Sequence, residues 1–149
     1  MTTQTAVTTT PHILAADDSE GRMQMICTAA DEYKARNIVV LDMRGQTIVA
    51  DFFIICSGTS TTHIQSIADG IQDRLRERAR LRAKSEGDSR SFWIILDYSD
   101  VIVHIFDEET REFYDLERLW ADAKVIPWSA EHEAEATAGS GNSFEHQSE

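Results

Sequence analysis

The chain has 149 residues, of which 42% are hydrophobic, and a formal charge of −12. That length fits one domain with an ordinary soluble core, and no apolar run approaches the roughly 20 residues needed to span a bilayer. Residues 129–149 hold five acids and residues 1–20 three, with no Lys or Arg in either; the part between is only mildly acidic, which argues against a dedicated DNA-binding domain but leaves room for a basic partner.

The Thr-rich start carries neither the basic region and apolar stretch of a secretory leader nor the arginines of a transit peptide, so a cytoplasmic protein is expected. Residues 1–18 and 129–149 have too little apolar surface to offset their ordering entropy. They are read as a disordered N-terminal segment and a disordered acidic C-terminal tail around one domain, 19–128.

Within that domain Met23, Ile26, Cys27 and Ala30 follow helical spacing, with Asp18 and Ser19 as candidate caps and an end near Asn37. Residues 38–43 form a β-branched run, read as a strand. After a turn at Arg44-Gly45-Gln46, residues 52–56 read as a central strand, apolar on both faces. Gly58-Thr59-Ser60 breaks that strand and can cap a long helix, whose Ile64, Ile67, Ala68, Ile71, Leu75 and Ala79 form one stripe. Residues 85–89 read as a connection, 92–96 and 101–106 as an antiparallel hairpin, and 108–121 as a final helix. The order predicts an α/β (α+β) fold, a mixed β-sheet flanked by helices.

Several patterns carry candidate chemistry. Cys27 and Cys56 are the only cysteines; both sit in apolar runs and read as buried small hydrophobes, and with the histidines they make no zinc-ligand spacing. Gly58-Thr59-Ser60, between strand and helix, could hold a phosphate on free amides. It is no phosphate loop, and the paired strand carboxylates of metal-dependent nucleotidyl transfer are missing. His104, in mid-strand, lacks an obvious nucleophile and orienting acid. Lys and Arg fall at every second position from Arg74 to Lys84, scattered around a helix rather than striped. They read as a solvated helix end or as a phosphate contact, with Arg74, Arg78, Arg82 and Lys84 as candidate RNA-contact residues. In the hairpin, strand alternation sends Trp93, Ile95 and Asp97 one way and Ile94 and Leu96 the other. A Trp on an open sheet face with an acidic rim has the composition of a protein-binding hot spot.

The segments VVLDMRG, DFFIICSGTSTTHIQSIADGI, the Glu86-Gly87 pair, WIILDYSDVIVHIF and REFYDLERLWADA occur in this order from Val39 to Ala123. Together they resemble the ribosomal silencing factor family, also called the iojap family. The chain departs from the family pattern at His63, where Asn or Gln is usual, and at Ser99, where Gly better suits a left-handed turn. The resemblance implies a nucleotidyltransferase-like fold without its catalytic acids, no catalytic activity and no cofactor or metal. It implies a translational repressor that binds the large ribosomal subunit through ribosomal protein L-fourteen and blocks joining of the small subunit when nutrients are short. Homodimers occur in such families. The docking region expected here is Trp93, Asp97, Tyr98, Asp100, Val101 and His104, with neighbouring ribosomal RNA as a candidate second contact. The rival reading is a nucleotide-binding or nucleotidyltransferase-like enzyme with a working Gly58-Thr59-Ser60 loop.

Overall fold

The structure, a computed structural model, describes residues 18–128. The two segments expected to be disordered lie outside the described residues, apart from Asp18. Helix α1 (Ser19–Glu32) starts where Asp18 accepts a hydrogen bond from the Gly21 amide at 2.7 Å. It ends five residues before the expected Asn37, because Lys34 takes a positive φ of 66° and turns the chain into strand β1 (Arg36–Asp42). All seven residues of β2 (Phe52–Gly58) are buried, as its two-faced apolar pattern predicts.

Helix α2 (Thr61–Ala79) begins with the Ser60 side chain accepting from the His63 amide at 3.0 Å. It ends in a left-handed cap at Arg80, whose N–H donates to the Arg76 carbonyl, while the following Leu81 N–H donates to that of Leu75. Arg80 has φ 58°, where a side chain costs about 1–2 kcal/mol relative to glycine.

Two sequence expectations need correction beyond this point. Residues 85–89 are not a plain connection: β3 (Lys84–Asp88) pairs antiparallel with β4 (Trp93–Asp97). Every residue of β3 is exposed, so no apolar alternation marks it, and its backbone bonds alone make it a strand. Gly87 permits this pairing, with φ +79° and its α-carbon so close to Trp93 that a β-carbon would lie 2.3 Å from the Trp93 carbonyl oxygen. The expected helix 108–121 is split into α3 (Glu108–Tyr114) and α4 (Leu116–Leu119) by Asp115 at φ 48°. A short strand, β6 (Lys124–Ile126), follows. The hairpin holds: β4 is antiparallel to β5 (Val101–Asp107) around a turn in which Ser99 has φ 77°.

The six strands form one sheet in the order β3-β4-β5-β2-β1-β6. The central pair β2 and β5 is parallel and the other neighbours are antiparallel, which makes the sheet mixed and the fold α+β. Helices α1 and α2 cover one face, burying Ile26, Ile64, Ile67, Ile71 and Leu75 against Ile54, Ile94, Leu96, Val101, Val103 and Ile105. On the other face Leu116, Trp120 and Ala123 pack over Leu41, Phe53 and Ile55. That cover is two short helices and a turn, against two full helices opposite. Cys27 and Cys56 are free and fully buried among apolar neighbours, and burial pushes the Cys56 thiol up to about 12.

Candidate protein-docking face

Directly paired residues in neighbouring strands share a sheet face. On the thinly covered face the register gives three rows: Lys84, Asp97, Ile102 and Phe53; Glu86, Ile95, His104, Ile55 and Val39; Asp88, Trp93 and Phe106. Toward β1 and β2 these rows lie under Leu116, Trp120 and Ala123. Toward β4 the cover runs out, leaving Trp93 and Ile95 half-buried on an open half-face. Its β3 edge carries Glu86 and Asp88, its β4 end Asp97, and Lys84 is the one cation in these rows.

Trp93 is held in place from three sides. Its ring stacks on Phe106 with centroids 4.8 Å apart and meets Tyr114 of α3 at 4.5 Å. Its indole N–H donates to Nδ1 of His104 at 3.2 Å. That bond leaves the His104 proton on Nε2, a buried atom without a hydrogen-bond partner among the described residues. Phe53 packs edge-on against the same imidazole at 5.0 Å. Buried and faced by aromatic rings, His104 has its pKa lowered to about 4 and is neutral at pH 7. Beside Trp93, a shallow cleft lined by Phe92, Asp107, Glu109, Thr110 and Phe113 adds apolar surface and carboxylates together.

Of the six expected docking residues, the fold brings Trp93, Asp97 and His104 onto one face. Asp97 also accepts the Ser99 amide at 2.8 Å, stiffening the turn. Tyr98 and Val101 point the other way, buried in the core under the helices, and offer no surface. Burial raises the Tyr98 pKa to about 12, and its hydroxyl finds no partner among the described residues. Asp100 is committed inward: both its oxygens take Arg22 of α1, and its carbonyl accepts from the amides of Asp51 and Phe52. Ile95 belongs to the open face although the hairpin shortlist omitted it; strand alternation was signal enough. Tyr114 and Phe113 belong beside it too, and no local pattern could bring them there from another helix.

The four candidate RNA-contact residues do not form one stripe. Arg74 is spent on Glu32 at 2.9 Å and lies over the Tyr33 ring. Arg78 is exposed in the last turn of α2, Arg82 on the connection that follows, and Lys84 opposite Asp97 in β3. Another arginine is structural, which its helical position does not reveal. Arg111, buried, donates to Ser57 Oγ at 2.7 Å, to the Asn37 carbonyl at 2.9 Å and to Glu117 at 3.0 Å. It ties α3 to β2, to the start of β1 and to α4.

The rival enzymatic loop is engaged within the fold. The Thr59 amide donates to His63 Nδ1 at 2.9 Å, and His63 Nε2–H donates to the Tyr33 carbonyl at 2.9 Å. The cleft at this point, lined by Tyr33, Lys34, Arg36, Thr59 and His63, is therefore bordered by a latch between α1 and α2. Asp73 pairs with Arg76 and Asp107 caps α3, and no three metal-ligating side chains converge among the described residues.

A family model described as "Ribosomal silencing factor during starvation" matches residues 16–149. A Bacillus subtilis protein named ribosomal silencing factor RsfS is 40% identical over 103 residues, 69% of this chain and 87% of that one. The maize chloroplast protein Iojap is 34% identical over 118 residues, 78% of this chain and 51% of that one. A crystal structure from Chromobacterium violaceum superposes with a TM-score of 0.67 at 28% identity, covering 70% of this chain and 87% of that one. With the family model matching most of its length and the Bacillus subtilis relative covered over 87% of that protein's length, the chain belongs to the ribosomal silencing factor family.

Proposed function

We propose that this protein is a translational repressor that docks on the large ribosomal subunit and blocks joining of the small one, limiting translation when nutrients are short. The docking partner is ribosomal protein L-fourteen, and the site of action is the cytoplasm. The observation that carries this reading is the open half-face of the sheet. There a Trp pre-oriented by Phe106, Tyr114 and His104 lies next to Ile95, with Glu86, Asp88 and Asp97 around them. A rigid aromatic anchor inside an acidic rim suits a basic protein: the rim speeds and orients docking, and the anchor supplies affinity. Occupying the subunit interface represses by exclusion alone, so no reactive group is required of the site, and the protein acts as a binding factor without catalysis.

Co-sedimentation with isolated large subunits tests the reading. Trp93→Glu, which keeps the strand but puts a charge on the open face, is expected to weaken binding at least 30-fold, equivalent to about 2 kcal/mol. Ile95→Glu should act in the same direction. A well-folded Trp93→Glu variant that binds as tightly as the parent removes this face from the site. Absence of the parent protein from the large-subunit fraction removes the function.

A further inference from the structure

Beyond helix α2 the chain runs through Arg80-Leu81-Arg82-Ala83-Lys84 into β3. Exposure alternates along this run: Leu81 and Ala83 pack on the core under the helices, while Arg80, Arg82 and Lys84 face solvent. Where the chain extends into β3, alternate side chains such as Arg82 and Lys84 recur about 6.6 Å apart, a spacing on the order of that between successive phosphates of a nucleic-acid strand. Residues 74–84 hold six Lys or Arg against one acid, Glu77, in a chain whose net charge is −12.

Within that segment the charges divide into two groups. Arg74 and Arg76 are neutralised by Glu32 and Asp73. Arg78, Arg80, Arg82 and Lys84 have no ion-pair partner among the described residues. Attraction to the carbonyl end of α2 accounts for cations in its last turn, but it falls off within that turn. Arg82 and Lys84 lie past it. Arg80 keeps its side chain at a left-handed position that favours glycine, a strain more often retained for function than for stability. Lys84 stands directly opposite Asp97, so this basic run abuts the edge of the open face.

We propose that Arg78, Arg80, Arg82 and Lys84 form a second contact site, a cationic strip that grips the phosphate backbone of ribosomal RNA next to the docked protein. The inference rests on the docking function proposed above. The two contacts are opposite in charge: an acidic rim for a basic protein and a basic strip for a polyanion. Bound together, they fix orientation as well as position, because a rotated chain would set like charges against each other.

The test compares the parent, Arg80→Gly, the triple variant Arg80→Gly/Arg82→Gln/Lys84→Gln, and Trp93→Glu, binding isolated large subunits across a salt series. Arg80→Gly should raise the melting temperature while weakening subunit binding, so lost binding there is not lost folding. In the triple variant the slope of log affinity against log salt should fall by about 0.7–0.9 for each phosphate contact removed. Its affinity for purified ribosomal protein L-fourteen should not fall, since Lys84 is the one cation on the acidic face and its removal leaves that face more negative. A photoreactive residue at position 82 should cross-link to ribosomal RNA; cross-links to a ribosomal protein instead would overturn the proposal. If the triple variant keeps the parent slope while Trp93→Glu loses binding, the strip is wrong and the docking face stands. If the triple variant loses slope while Trp93→Glu binds normally, the strip stands and the docking face is wrong.

Discussion

The indole N–H of Trp93 donates to Nδ1 of His104 across the β4–β5 pair, at 3.2 Å. One bond thus orients the Trp93 ring and selects the histidine tautomer, and it requires the imidazole to be neutral. Burial holds the folded-state pKa at about 4, against about 6.5 in an unfolded chain. As pH falls, the unfolded state takes up this proton first. The stability contribution is therefore fully present above about pH 6.5 and is lost progressively as pH falls toward 4. Urea melts between pH 7 and pH 4.5 should show about 2 kcal/mol of loss from this group. His104→Gln keeps an acceptor for Trp93 but cannot titrate, so its loss should be smaller by that amount. Parallel pH profiles for parent and variant would refute the assignment.

Tyr98 lies on the opposite side of the sheet from Trp93. Its hydroxyl is buried without a partner among the described residues, on the helix side of the sheet. Tyr98→Phe removes an unsatisfied polar atom and no hydrogen bond, so stability should be unchanged or rise by about 1 kcal/mol. Subunit binding should stay at the parent value. A marked loss of binding with an intact fold would return Tyr98 to the site.

Arg111 makes the opposite prediction. Its guanidinium is the partner of a fully buried Ser57 hydroxyl, of the Asn37 carbonyl and of Glu117. Arg111→Met fills similar volume but leaves those acceptors unpaired, and should cost about 2–3 kcal/mol. The urea midpoint should fall at constant m. An unchanged midpoint would mean that water replaces the guanidinium at no cost.

The sequence by itself determined the layers and most of the elements. Stripes such as Ile64, Ile67, Ile71 and Leu75, caps at Asp18 and Ser60, and the two-faced apolar run of β2 have short-range periods that local chemistry imposes. Alternation in the hairpin also separated Trp93 and Ile95 from Ile94 and Leu96. The acidic character of the proposed docking region was legible in the same way, because charge is a property of composition.

Only the tertiary structure decided which face stays open and which polar groups are spent. The open half-face exists because α3 is cut short at Asp115 and α4 covers β1 and β2 but not β4. Strand β3 was invisible because an edge strand with no buried side has no hydrophobic period, only backbone bonds to its neighbour. Asp100 and Arg111 are committed within the fold only because Arg22, Ser57 and Asn37, all distant in sequence, come within hydrogen-bond reach. Periodicity reports how a residue sits on its own element. Whether that residue is buried, paired or free is set by elements that the chain brings in from elsewhere, and that decided which half of the hairpin can meet a partner.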